Sequence, residues 1–143
     1  MSNKKMILQG ISRKNNIALL YLFGSQAEAG LKVLEGEKPG KIDPLTDMDV
    51  GVVFNFELPE PTERYKLFSS LYLELEELFS PYPLDLVFLQ EHHSVFQANA
   101  ICGRCVYFSS LQFKEDYEEN ILRRAADFRP FLERYYDELL GEA

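Results

Sequence analysis

The sequence predicts an α/β (α+β) domain, a small sheet with helices packed on it. Three observations carry that reading. A run of seven apolar residues, Ile17 to Phe23, has the continuous hydrophobicity of a strand covered on both faces. A strongly periodic helix follows Pro59 and Pro61, with Phe68, Leu71, Tyr72, Leu75, Leu78 and Phe79 at three- and four-residue intervals. Helical and strand patterns also alternate along the chain, in the order helix, strand, helix, strand, helix, strand, helices.

Taken in order, residues 3–14 carry Met6, Ile7 and Ile11 at helical spacing among lysines and asparagines, the pattern of a short amphipathic helix. The apolar run at 17–23 is the first strand, and residues 25–34 form a helix starting directly after Gly24. "EGEKPGKIDPLT" at 35–46 holds two glycines and two prolines and reads as a loop. Asp47 to Phe56 is the second strand. Thr62 is placed to cap the periodic helix, which Pro81 and Pro83 end. "LDLVFL" at 84–89 is a third, short strand; residues 94–101 make a helix, and "RCVYF" a last strand. A helical C-terminal tail covers about 111–143, with a break expected at Pro130.

The chain has 143 residues, of which 46% are hydrophobic, enough for one domain with its own core (1–143). Its start, "MSNKKMILQGISRKNN", lacks the apolar stretch of a signal peptide. With two cysteines only, Cys102 and Cys105, there is no disulfide framework, and a cytoplasmic setting is expected. The net charge of −8 argues against a large nucleic-acid surface, whose affinity comes from lysines and arginines that release counterions. No segment is long and apolar enough to suggest a membrane span. A small anion such as a nucleotide remains compatible with this charge, since one metal-loaded site overrides a distant acidic surface.

Three short pieces carry chemistry. In "TDMDV" (46–50), strand alternation puts Asp47 and Asp49 on one face and sends Met48 and Val50 into the core. Two carboxylates side by side repel, and burial pushes at least one toward protonation unless a cation sits between them. Mg²⁺ suits, as a hard ion that takes carboxylate and phosphate oxygens; Mn²⁺ accepts the same set. Asp85 in "PLDLVFL" is an acid near the start of an apolar strand, and it joins Asp47 and Asp49 if its strand pairs beside the second one. Three carboxylates so gathered hold two divalent ions for an in-line displacement at phosphorus. The third piece is Gly24–Ser25, where the first apolar run stops. By itself the pair fits an ordinary turn; beside the three acids it also fits a phosphate cradle, with a bare backbone, a hydroxyl and an amide at a helix N-terminus.

With those residues in place, "LFGS…TDMDVGVVF…LDLVFL" resembles the minimal nucleotidyltransferases (MNT proteins) of the polymerase β-like nucleotidyltransferase superfamily. "GRCVYF" is similar to the family's small Gly-x-x-x-Tyr element, and "DFRPFLERYYDEL" to its C-terminal helix, so the likeness spans nearly the whole chain. The resemblance implies the nucleotidyltransferase fold, a small mixed sheet flanked by helices. It implies Asp47, Asp49 and Asp85 as catalytic metal ligands, with Asp85 shared with the metal or acting as base on the attacking hydroxyl. Gly24 and Ser25 become the nucleotide-binding cradle. The implied reaction moves a nucleoside monophosphate, usually AMP from ATP with Mg²⁺, onto a hydroxyl. The implied role is that of an antitoxin, which adenylylates a tyrosine of a partner HEPN-domain toxin encoded nearby. The alternatives are a non-catalytic nucleotide-binding module that neutralises its partner by binding, and a nucleotidyltransferase acting on a small molecule.

Two departures from the family pattern stand out. Twenty-one residues separate Ser25 from Asp47, a longer spacing than is common in the family, with the excess in the Gly/Pro loop. An arginine common after the Gly-Ser turn is replaced by Glu28, or by Ala29 in a shifted alignment. Lys32, Lys38 or Lys41 is then the expected substitute cation on the triphosphate.

Other features have plainer readings. His92 and His93 are adjacent and belong at a helix start. "CGRC" has redox spacing without a second ligand pair for zinc, so Cys102 and Cys105 read as structural. Tyr135 and Tyr136 read as helix packing or partner contact, with self-modification as the sharper alternative. The acidic runs "ELEELF" and "KEDYEEN" are solvated helix faces.

Overall fold

The computed structural model describes residues 2–38 and 45–141. Its elements are helix α1 (Asn3–Lys14), strand β1 (Ile17–Phe23), helix α2 (Ala27–Leu34), strand β2 (Met48–Phe54), helix α3 (Pro61–Phe79), strand β3 (Leu84–Phe88), helix α4 (Ser94–Ile101), strand β4 (Arg104–Phe108) and helix α5 (Leu111–Leu139). The four strands form one mixed sheet in the order β3-β2-β1-β4. β1 runs antiparallel to both β2 and β4, whereas β2 and β3 are parallel.

β1 is buried along all seven residues, as its unbroken apolar run demands, because helices cover both faces of the sheet. On one face Leu20, Leu22, Val50, Val52 and Phe54 pack against Leu8, Val33, Leu71, Leu75 and Phe79 from α1, α2 and α3. On the other face Leu19, Tyr21, Phe23 and Val53 meet Phe96 and Ile101 of α4 and Phe113 and Tyr117 of α5. The period-2 alternation of each strand distributes its side chains between these two layers. One buried polar bond ties them to the sheet: the Tyr21 hydroxyl donates to Glu118 Oε1 of α5 at 2.8 Å. Burial and that neighbouring carboxylate raise the Tyr21 phenol well above its ordinary range.

Several boundaries differ from the sequence expectation. In α1 the buried residues are Leu8, Ile11 and Ser12, whereas Met6 and Ile7 are exposed. The face turned to the sheet is therefore centred one residue past Ile7. Ser2 caps this helix by accepting from the Lys5 amide at 3.2 Å. α2 begins at Ala27 and so leaves a three-residue turn, Gly24 to Gln26, after β1. Thr62 does not cap α3. Glu60 stands at the N-cap without a side-chain bond, and Pro61 is the first helical residue, where its fixed φ suits the helix and its missing N–H costs nothing. α5 runs through Pro130 without a break. The proline deprives only the Ala126 carbonyl of an intrahelical donor, and Ala126 is exposed to water, which replaces it. Among the described residues no helix is long and apolar enough to cross a membrane.

Candidate active site

The parallel pairing of β2 with β3 decides the site. Its register sets Asp49 directly opposite Asp85, flanked by the pairs Met48–Leu84 and Val50–Leu86. Met48, Val50, Leu84 and Leu86 are buried, so alternation turns the two acids together to the other face. The Met48 amide donates to the Pro83 carbonyl at 2.7 Å and fixes the mouth of this pair. Asp47 precedes the first residue of β2 and is exposed.

The Asp49 carboxyl titrates at about 6, pushed up first by burial, then by a hydrogen bond with Asp85 and by the charges of Asp85 and Asp47. Burial and the neighbouring charges of Asp85 and Asp47 thus oppose ionisation of the Asp49 carboxyl. Among the described residues no three His, Cys, Asp or Glu side chains converge into a ready cation cage. The donor set nonetheless fits a hard divalent ion: all its atoms are carboxylate oxygens, and such an ion would relieve the repulsion among them.

Gly24 closes the site from β1. Phe23 pairs with Asp49, and Gly24 leaves the strand with a φ of +74°. A Cβ built on it would stand 2.1 Å from Asp49 Oδ2, so glycine is required both by the backbone and by the acid beside it. Ser25 follows, exposed, ahead of the α2 N-terminus. Gln26 Nε2 donates to Thr46 Oγ1 at 3.3 Å and ties the turn to the segment entering Asp47. Of the five residues marked by the sequence, Asp49, Asp85 and Gly24 are thus brought together by register and close approach, and Asp47 and Ser25 adjoin them in the chain, both exposed.

The sequence of residues 5–112 matches the family described as "Polymerase beta, Nucleotidyltransferase". The chain belongs to this nucleotidyltransferase family. No curated protein matches it significantly in sequence. Among solved structures, this nucleotidyltransferase resembles a chain of the toxin-antitoxin MntA–HpeT in a mutant form, at 17% identity and a TM-score of 0.67, over 97% of this chain and 99% of that one. It also resembles a chain of a toxin-antitoxin structure with AMP-PNP, at 16% identity and a TM-score of 0.67, over 95% and 98% of the two chains. A third is a chain from the tri-AMPylated Shewanella oneidensis HEPN toxin in complex with MNT antitoxin, at 16% identity and a TM-score of 0.63, over 96% of each chain. At these identities the likeness is one of fold.

Two residues of this nucleotidyltransferase escaped the sequence reading. Tyr72, on the core side of α3 by its periodicity, is only half-buried; its phenol is raised by a hydrogen bond with Glu76, and the charges of Asp47 and Asp85 add to the effect. Arg104, the second residue of "GRCVYF", reaches α2 and bonds Glu28 through Nε at 2.8 Å and Nη2 at 2.7 Å. No local pattern signals the Arg104 contact, because Glu28 lies 76 positions away in the sequence. Of the expected substitute cations, Lys32 and Lys38 are exposed, and Lys41 lies outside the described residues.

The remaining candidates have structural places. His93 caps α4, its Nδ1 accepting from the Val95 amide at 3.1 Å, and His92 stacks on Phe96 at 4.5 Å. Cys102 and Cys105 are free thiols, and burial pushes the Cys105 thiol up to about 11, far from the thiolate a redox role needs. Tyr135 and Tyr136 belong to α5, but their side chains lie outside the described residues.

Proposed function

We propose that the chain, acting as one domain over residues 1–143, transfers AMP from ATP to a tyrosine hydroxyl of a partner HEPN-domain toxin and so serves as its antitoxin in the cytoplasm. The observation that carries the chemistry is the Asp49–Asp85 pair set against the Gly24 turn, where a Cβ would stand 2.1 Å from Asp49 Oδ2. The family supplies the reaction class, and the structural neighbours, one of them a chain from a complex of tri-AMPylated HEPN toxin with MNT antitoxin, support the partner and its AMPylation.

In this reading Asp47, Asp49 and Asp85 hold Mg²⁺ or Mn²⁺. When bound there, such an ion would supply positive charge to the phosphate oxygens. Gly24 lets the triphosphate approach the backbone, and the Ser25 hydroxyl and amide donate to its oxygens. Asp85, the more exposed of the facing pair, accepts the proton of the incoming hydroxyl as its oxygen bonds to the α-phosphorus. Pyrophosphate leaves, carrying the electron pair of the broken bond. Asp49 is held in place by Asp85 on one side and by the walls of β1 on the other.

The test is a transfer assay with α-labelled ATP and Mg²⁺, with the HEPN protein of the neighbouring gene as acceptor. Wild type should label the acceptor, and the Asp47→Ala, Asp49→Ala double variant should not. An intact complex that takes no label with any of the four nucleotides would instead establish neutralisation by binding. Label on a small alcohol without the protein partner would place the acceptor elsewhere.

A further inference from the structure

All four strands meet the site at one edge of the sheet. β2, β3 and β4 begin there and β1 ends there, because β1 is antiparallel to β2 and β4 while β3 is parallel to β2. Across the strand order β3-β2-β1-β4 that edge presents Asp85, Asp49, the Gly24–Ser25 turn and Arg104. Neighbouring strands lie about 4.8 Å apart, so Arg104 stands roughly 10 Å across from Asp49, a span a triphosphate chain can bridge.

Arg104 is firmly placed at its backbone. It pairs with Leu22, two residues before Gly24. Gly103 before it is packed so closely on β1 that a Cβ there would stand 2.2 Å from the Leu22 carbonyl oxygen and 2.9 Å from Phe23 Cα. The Arg104 side chain follows Leu22 onto the α2 face of the sheet, the acids lie on the opposite face, and the Gly24–Ser25 turn crosses the edge between them.

Its guanidinium is aimed by an anion already present. Nε and Nη2 converge on Glu28 Oε1 at 2.8 and 2.7 Å, in the first turn of α2 and three residues beyond Ser25. Both side chains are more than half exposed, at 57% and 66%, so the pair does little for stability. A guanidinium takes phosphate oxygens with the same fork of donors that it offers a carboxylate.

We propose that Arg104 binds the β- and γ-phosphates of the nucleoside triphosphate, leaving Glu28 for phosphate oxygens when the nucleotide arrives. Glu28 is the anion that holds the guanidinium ready and competes for it. The β,γ end is assigned because the α-phosphorus belongs at Asp49 and Asp85, on the far side of β1 from Arg104. Arg104 then also holds the pyrophosphate that departs. The inference rests on the nucleotide transfer proposed above.

The experiment measures binding of Mg-ATP, AMP and inorganic pyrophosphate to the full chain, as wild type, Arg104→Ala, Arg104→Lys and Glu28→Gln. Arg104→Ala is expected to weaken ATP and pyrophosphate by about tenfold or more, the scale of one charge-assisted contact, and to change AMP by less than about twofold. Arg104→Lys should restore part of the loss, and Glu28→Gln should not weaken ATP. A merely structural ion pair predicts equal losses from Arg104→Ala and Glu28→Gln, and that result overturns the assignment. So does unchanged ATP affinity in a folded Arg104→Ala, while the transferase reading survives. A wild type that binds no nucleoside triphosphate defeats both.

Discussion

Replacing Gly24 by alanine tests the site at its tightest point. Two costs separate there. The first is conformational: φ is +74°, and an L-residue in this region costs about 1–2 kcal/mol. The second is steric and falls on Asp49, whose Oδ2 would lie 2.1 Å from the new Cβ, where real Cβ contacts keep beyond 3.0 Å. The carboxylate must swing away by about 1 Å, and a displacement of that size at a reacting group costs on the order of a hundredfold in rate. Because a carboxylate can turn without moving the backbone, the second cost appears in activity and scarcely in stability. Gly36→Ala is the control. Its φ is +82°, so the backbone cost is alike, but the nearest neighbour of its Cβ is Ser2 Cβ at 3.9 Å. Urea unfolding should show similar losses for the two variants, about 1–2 kcal/mol each. Transfer of label from α-labelled ATP should fall about a hundredfold for Gly24→Ala alone. Equal transfer rates in the two variants would refute the placement of Asp49 against the turn.

Two further outcomes follow from the same geometry. Asp49 titrates at about 6 in the fold, against an ordinary value of 3.8, so the folded state favours its proton. Its contribution to stability is complete below 3.8 and is lost as pH rises through about 6. In chelator-treated protein the stability of wild type relative to Asp49→Asn should therefore decline from about pH 4 to about pH 7, and Mg²⁺ should flatten that decline; urea midpoints of both proteins across this range check it, and a rising difference contradicts the sign. Gly103→Ala meets the β1 backbone, the Leu22 carbonyl oxygen at 2.2 Å and Phe23 Cα at 2.9 Å, so β4 must part from β1. A loss of about 1–3 kcal/mol in urea unfolding is expected, and an unfolding curve superimposed on wild type would show that the strands do not meet as described.

The elements were legible because their signals are local. A seven-residue apolar run can be read without knowing its neighbours, and so can the spacing of Leu71, Leu75, Leu78 and Phe79. Where reading and structure differ, the cause is equally physical. Met6 and Ile7 have the right spacing for a buried face, but the orientation of α1 on the sheet centres that face on Leu8 and Ile11. Pro130 carries the strongest local signal for a helix end, and solvent access at Ala126 removes its main cost.

For the site, the amino-acid sequence by itself determined which residues could carry the chemistry. Alternation in "TDMDV" and "LDLVFL" turns Asp49 and Asp85 away from a core that takes Met48, Val50, Leu84 and Leu86. It could not bring them together, since no local rule pairs position 49 with position 85; only the parallel register of β2 and β3 does. Tertiary packing likewise gave Gly24 its second duty, leaving room for a carboxylate that lies 25 positions further along the chain. It also set Arg104 against Glu28, across 76 positions, whereas local spacing points only to the nearby lysines. Periodicity records how each segment divides itself between core and solvent, while a charged site is assembled by strand order and register, which belong to the sheet as a whole.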